Sequence, residues 1–392
     1  MNERHANPDV PKNAVIACGG TGGHLFPGIA VASELRARGC QVTLLVSAKA
    51  IDQQAAANLP GMAVLTLPAV GLSGGNFVAF VRGFCKSYSQ SRRYFRQKPP
   101  SFVLGMGGFS SAPPLLAARR LGAGTWLHES NTIPGRANRL LARFVNGAFT
   151  YFEQTGALLR APRIDCFGMP VRQEFLQPIT RPAARAALGL KANGHVLLVM
   201  GGSQGAVKIN QLVLDSIPQL RAALPALQFL HFTGAADLQK ARATYAAHDC
   251  PATVLDFCHQ MGLVLAAADA TISRAGSSSL AELAARQLPA ILIPYPFAAG
   301  NHQYHNARAF AQSGAAILAP ENLTTPSLLT SQVVELLGNL DLHLAMRGAL
   351  LRWHRPAAAA TIAEQMLRWP APAPPPGGQP AVGSTEMEAL NA

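Results

Sequence analysis

Acidic residues are scarce in this sequence. Against 33 Lys and Arg stand 20 Asp and Glu, a net charge of +13 in 392 residues. Charged residues total only 14%, where a globular chain averages about 25%. The positive balance therefore comes from missing acids more than from abundant bases, and it favours anionic partners. The aspartates include no Asp-x-Asp pair, so the clustered carboxylates that hold a metal-bound diphosphate are not expected, nor is a metal or other cofactor. The six cysteines (Cys18, Cys40, Cys85, Cys166, Cys250, Cys258) form no C-x-x-C pair. That excludes a zinc pattern and a dense disulfide framework, and it suits a reducing cytosol. No apolar run reaches the roughly 18 residues of a transmembrane helix, and Met1–Asn13 lacks the apolar stretch of a signal peptide. Any meeting with a membrane is expected at its surface. No helix-turn-helix, zinc or RNP-like motif appears, so nucleic acid is not an expected partner.

What is present is enough apolar residue for a large core, 49% of the chain. At about 150 residues per domain, the length suggests two or three domains. Asn13–Cys18 is an apolar run followed by glycines and a helical pattern, which reads as a buried parallel strand entering a βα unit. The helix is expected to start near Pro27. Further strands read at 41–46, 102–104 and 124–127. The arrangement restarts at His195 with a strand to Met200, a Gly-rich loop at Gly201–Gly205 and a helix from Ala206. Strands follow at 228–232, 271–273 and 290–293. The reading is two similar α/β domains, each opening with strand, Gly-rich turn and helix. The stretch 168–182 reads as linker, and the Pro/Gly-rich tail from Pro370 is expected to be disordered.

The first Gly-rich loop, Gly19-Gly20-Thr21-Gly22-Gly23-His24, lets the backbone approach an anion at a helix amino terminus. A tight turn without ligand would look the same. The acid expected about 20 residues after a dinucleotide fingerprint falls at Asp52 or nowhere, which counts against a nicotinamide enzyme. Ser273–Glu282 (SRAGSSSLAE) follows a strand and opens a helix. Its hydroxyls and amides suit a diphosphate, and Glu282 suits ribose hydroxyls; an ordinary N-capped helix with a solvent-facing Glu is the plainer alternative. Asn301–Asn306 (NHQYHN) suits sugar hydroxyls or a helix start.

Eight stretches in order resemble the MurG family of glycosyltransferases, covering about residues 13–368. They are GGTGGHLFPGIAVA (19–32), GMGGFSSAP (105–113), HESNTIPGRANRLL (128–141), GMPVR (168–172), GGSQGA (201–206), SRAGSSSLAE (273–282), PAILIPYP (289–296) and HQYHNA (302–307). The resemblance implies a GT-B fold, two Rossmann-like domains facing a cleft. It divides the chain into an N-terminal acceptor and membrane domain (13–171), a C-terminal UDP-N-acetylglucosamine domain (172–350), a returning helix (351–368) and a tail (369–392). It implies transfer of N-acetylglucosamine to the C4 hydroxyl of undecaprenyl-diphospho-MurNAc-pentapeptide (lipid I), forming lipid II on the cytoplasmic face of the inner membrane. Donor contacts carry over to Thr21, Gly22, Gly23, Asn131, Arg172, Ser203, Ser277, Ser278, Ser279, Leu280, Ala281, Glu282 and Gln303, with a backbone contact to uracil at Cys258. Departures stand at Phe109, Ser130, Met169 and the triple serine 277–279.

An inverting displacement needs a base, and His24 is the candidate because an ordinary imidazole titrates near physiological pH. His128 and Glu129 are the runners-up. A UDP-sugar epimerase and a catalytically silent UDP-sugar sensor are the alternatives. Phe77, Phe80, Val81 and Phe84 fall on one helical face beside Arg82, Lys86, Arg92, Arg93 and Arg96. This patch is expected to dock on an anionic membrane, with Gly83 and Ser87 interrupting the helix. Packing of the phenylalanines on the domain's own core is the competing reading.

Overall fold

The structure, a computed structural model, describes residues 12–49, 52–53, 59, 61–68, 77–202, 205–258 and 260–369. Ser203 and the tail from Pro370 lie outside the described residues.

Seven strands, β1 (Asn13–Ala17), β2 (Gln41–Ser47), β3 (Ala63–Leu67), β4 (Phe102–Gly105), β5 (Gly124–Glu129), β6 (Gly147–Thr150) and β7 (Ile164–Cys166), form the first sheet. Their order is β3-β2-β1-β4-β5-β6-β7, parallel throughout. The second sheet holds β8 (Val196–Met200), β9 (Gln228–Phe232), β10 (Ala252–Leu255), β11 (Ala270–Ser273), β12 (Ala290–Leu292) and β13 (Ile317–Leu318). It is also parallel, in the order β10-β9-β8-β11-β12-β13. Helices cover both faces, so β1 and β8 are apolar along their length rather than alternating. Winding reverses between β1 and β4, and again between β8 and β11. Such switch points leave a crevice at the carboxyl ends of the strands. The Gly-rich turn after β1 opens into the first of these crevices.

Three local expectations are corrected. The first helix is Gly22–Ala37, so Pro27 sits inside it rather than near its start. The helix Phe77–Gln97 is continuous; Gly83 and Ser87 do not break it. Ser87 and Ser91 are fully buried, on a helix that packs along helix Ala112–Arg120. Small side chains there allow close approach. On this helix Phe77 is 65% and Val78 75% exposed, whereas Phe84 packs on the domain core and Phe80 edges against Phe109 at 5.5 Å. The aromatic strip is thus divided between core and surface. The returning segment is two helices, Leu340–Trp353 and Ala358–Leu367, parted around Pro356, which cannot continue a helix.

The domains are firmly joined. Ile362, Ala363 and Met366 of the last helix belong to the N-terminal core. Tyr151 and Phe152, just after β6, enter the C-terminal core. There Phe152 meets Trp353 at 5.3 Å, and Trp353 stacks on Phe310 at 4.4 Å. The stretch read as linker is clamped: His128 Nε2 lies 3.0 Å from Gly168 O, and Arg286 donates to Glu174 O and Gln177 O.

Candidate active site

Glycine is required where the first turn presses on β2. A Cβ at Gly19 would stand 2.3 Å from Ser47 N. Asp52 then closes the turn: its Oδ2 accepts from Gly20 N at 2.7 Å and from Ser47 Oγ at 2.6 Å. Lys49 Nζ donates to Gly20 O and Ser110 Oγ to Gly19 O. Asp52 is fully buried there, so it does not present a carboxylate to a ribose.

His24 is the third residue of the first helix, partly exposed, with Nδ1 3.4 Å from Thr21 Oγ1. Its ring lies over Gly107 and Gly108, at φ +117° and +74°; a Cβ at Gly107 would come within 3.0 Å of Nε2. Burial pushes its pKa down to about 4; Asp52 favours the proton, and His302 and Lys49 oppose it. The ordinary imidazole expected from sequence is therefore corrected: His24 is neutral at pH 7, always able to accept a proton but a weak base. The runners-up are enclosed. His128 is fully buried, and burial lowers its pKa to about 4 as well. Glu129, 2% exposed, accepts from Asn131 N, Asn131 Nδ2, Gly135 N and Asn138 Nδ2. It shapes the 130–135 loop, and burial raises its pKa.

The facing wall is the amino terminus of helix Ser277–Arg286. No acidic residue lies in its first turn, so its dipole and free amides are open to an anion. Ser277, Ser278 and Ser279 line this end. The Leu280 and Ala281 side chains enter the core, and the Leu280 amide is taken by Gly276 O. Arg274 is committed to Glu321 Oε2 at 2.6 Å and to two backbone carbonyls. Gln303 Oε1 accepts from Ala275 N and Tyr295 N, so only its amide N–H groups remain for a ligand. Cys258 is partly exposed, and its Sγ accepts from Gln260 N.

Glu282 is one and a half turns further on, its side chain 14% exposed. Burial raises its pKa to about 7, although Arg172 opposes this from 3.4 Å. Arg172 is itself held between Phe26 and Phe175, at 4.4 and 4.8 Å, and pairs with Glu174 at 2.7 Å. It steadies Glu282 more than it offers a free cation.

Two contacts bring the walls together. Pro27 has no N–H, so the carbonyl of Gly23, four residues earlier, lacks its helical partner. Ser278 Oγ of the other domain donates to that carbonyl at 3.1 Å. Fully buried Asn306 takes Thr132 N and Thr132 Oγ1 on its Oδ1, and its Nδ2 reaches Asn131 Oδ1 at 3.0 Å. Asn306 was inside the quoted HQYHNA stretch, yet nothing local singles it out, because its partners lie 174 residues away. Among the described residues, no three His, Cys, Asp or Glu side chains gather as a metal-ligand set.

The chain is similar to known proteins along most of its length. The model of the glycosyltransferase family 28 N-terminal domain matches residues 14–150, and that of its C-terminal domain matches 196–360. A protein of Syntrophus aciditrophicus (strain SB) is 36% identical over 324 residues, 81% of this chain and 88% of that relative. It is named UDP-N-acetylglucosamine--N-acetylmuramyl-(pentapeptide) pyrophosphoryl-undecaprenol N-acetylglucosamine transferase. A relative of the same name from Desulforudis audaxviator (strain MP104C) is 36% identical over 89% of this chain and 96% of its own length. The crystal structure of Acinetobacter baumannii MurG matches with a TM-score of 0.73 at 28% identity, covering 91% of this chain and 99% of that one. Matched in both domains and over most of its length, the chain belongs to glycosyltransferase family 28, within the MurG family of N-acetylglucosamine transferases.

Proposed function

We propose that this chain transfers N-acetylglucosamine from UDP-N-acetylglucosamine to the C4 hydroxyl of lipid I, forming lipid II for peptidoglycan. The observation that carries this reading is the 3.1 Å contact of Ser278 with Gly23, which sets His24 beside the open helix end. In this reading the donor diphosphate lies on Ser277, Ser278 and Ser279. Glu282 accepts from the ribose hydroxyls, and the backbone at Cys258 meets uracil. Thr21, Gly22, Gly23, Asn131 and Gln303 surround the sugar. His24 removes the acceptor proton while the helix end stabilises the departing UDP, giving a single inverting displacement. Labelled UDP-N-acetylglucosamine with a lipid-linked muramyl acceptor is expected to give a labelled lipid-linked disaccharide. Free UDP-N-acetylmannosamine without acceptor would mark an epimerase instead.

In this reading backbone amides and a helix dipole do for the diphosphate what a metal does in other enzymes. Turnover is therefore expected to survive excess EDTA. Loss of turnover that Mg²⁺ restores would contradict the amide cradle.

The acceptor's lipid chain stays in the bilayer, so the enzyme meets it from the cytoplasmic surface as a peripheral protein. Among the described residues, no helix is long and apolar enough to cross a membrane. The docking surface in this reading is helix Phe77–Gln97, where exposed Phe77 and Val78 begin the helix and exposed Arg82, Lys86, Arg92, Arg93 and Arg96 follow along it. Each cation near an anionic surface contributes about 1 kcal/mol. Replacing Phe77 and Val78 by Ser, and separately Arg92, Arg93 and Arg96 by Gln, should each release the protein from sedimenting anionic vesicles. Folded variants that sediment like the parent would move the membrane face elsewhere.

A further inference from the structure

A second charged cavity lies at the other end of the C-terminal sheet. His195 and Asp269 stand immediately before β8 and β11, at the amino ends of the strands whose carboxyl ends lead to the donor loops. The cavity measures about 580 Å³, within the range of about 300–1,000 Å³ for small-molecule sites. Three helices wall it: Arg181–Ala187 through Arg181, Ser277–Arg286 through Arg286, and Leu340–Trp353 through His343 and Arg347.

Asp269 is the one carboxylate in the wall, and it is already saturated. It pairs with Arg181 at 2.9 Å and Arg185 at 2.5 Å, and accepts from Val196 N at 2.7 Å. Arg347 has no hydrogen-bonded or ion-paired acceptor among the described residues, and Arg286 Nε is buried without one. Burial, then Arg181, holds the Arg347 guanidinium below its ordinary pKa, and burial, then Arg347 and Arg181, does the same to His343. Arg347 thus stands beside Arg181 in a partly desolvated hollow whose one carboxylate, Asp269, is already shared by Arg181 and Arg185, which is costly until an anion enters. The remaining lining is largely apolar.

We propose that this cavity binds a small phosphorylated ligand, its phosphate held by Arg181, His343 and Arg347 and its apolar or ring portion lying on Ile179, Leu340 and Leu344. A guanidinium fork from each of two helices suits the several oxygens of a phosphate better than a lone carboxylate. The cavity is in the C-terminal domain, whereas the proposed membrane helix is in the N-terminal one, so a soluble ligand is the occupant that fits.

The test is equilibrium dialysis of labelled inorganic pyrophosphate against the full chain, with unlabelled UDP saturating to fill the donor cleft. The parent is expected to bind one further equivalent. Arg347→Gln breaks no internal bond among the described residues, and it should weaken that binding at least tenfold while UDP affinity stays unchanged. Arg347→Lys, which keeps the charge without the fork, should recover part of it. No pyrophosphate bound beside UDP, or equal binding by parent and Arg347→Gln, would overturn the proposal. Failure of the donor reading would appear as absent UDP binding in both proteins, and the Arg347 comparison would still decide this site.

Discussion

Replacing His24 by alanine is expected to lower kcat by about 10²–10⁴-fold, the usual contribution of a positioned base, with donor affinity unchanged. The imidazole ends the first Gly-rich turn and lies against Gly107 and Gly108. Its pKa of about 4 sets the sign of the pH dependence. A base works when unprotonated, so protonation of His24 should cut turnover only as pH falls toward 4, not near the 6.5 of a free imidazole. Steady-state kinetics of parent and variant across pH check both statements. A variant that binds donor poorly at normal kcat would make His24 a support of the loop rather than the base.

The second large effect is at Glu282. Losing a carboxylate that accepts from ribose hydroxyls should cost roughly 1.5–3 kcal/mol of donor binding, on the order of ten- to a hundredfold in Kd. Arg172 keeps Glu174 at 2.7 Å in the Glu282→Ala variant, so no unpaired cation is left behind. With a free-protein pKa of about 7, Glu282 carries its proton over much of the acid range. Binding favours the carboxylate, so donor binding expels that proton and affinity should fall as pH drops from 8 to 6. Below the pKa the fall approaches tenfold per unit. Calorimetric titration should show this slope in the parent and a flat profile in Glu282→Gln. Unchanged affinity in Glu282→Ala, or a flat parent profile, would remove Glu282 from the ribose site.

The parts of the fold that were legible are those whose physics is local. A parallel strand buried on both faces must be apolar along its length, so β1 and β8 stood out, and the glycines after them marked the turns. The edge strands β3 and β13 did not. β3 is largely exposed and β13 has two residues, so neither carries that signal. Pro27 misled because its usual place is the first turn. Inside the helix it frees the Gly23 carbonyl, and the compensating donor, Ser278, comes from 255 residues away. Asp52 looked like a failed ribose ligand until its partner, the Gly20 amide, was placed. The shifts at His24 and Glu282 come from burial, which depends on how the two domains close and is invisible in a motif.

The most direct measurement of the central claim is the anomeric configuration of the product. UDP-N-acetylglucosamine, an α-linked donor, is incubated with a lipid-linked muramyl-pentapeptide acceptor, and the new linkage is read by proton NMR coupling. A single displacement driven from the His24 side predicts a β-linked N-acetylglucosamine on the C4 oxygen of the muramyl sugar. An α linkage, or no lipid-linked disaccharide, would contradict the account.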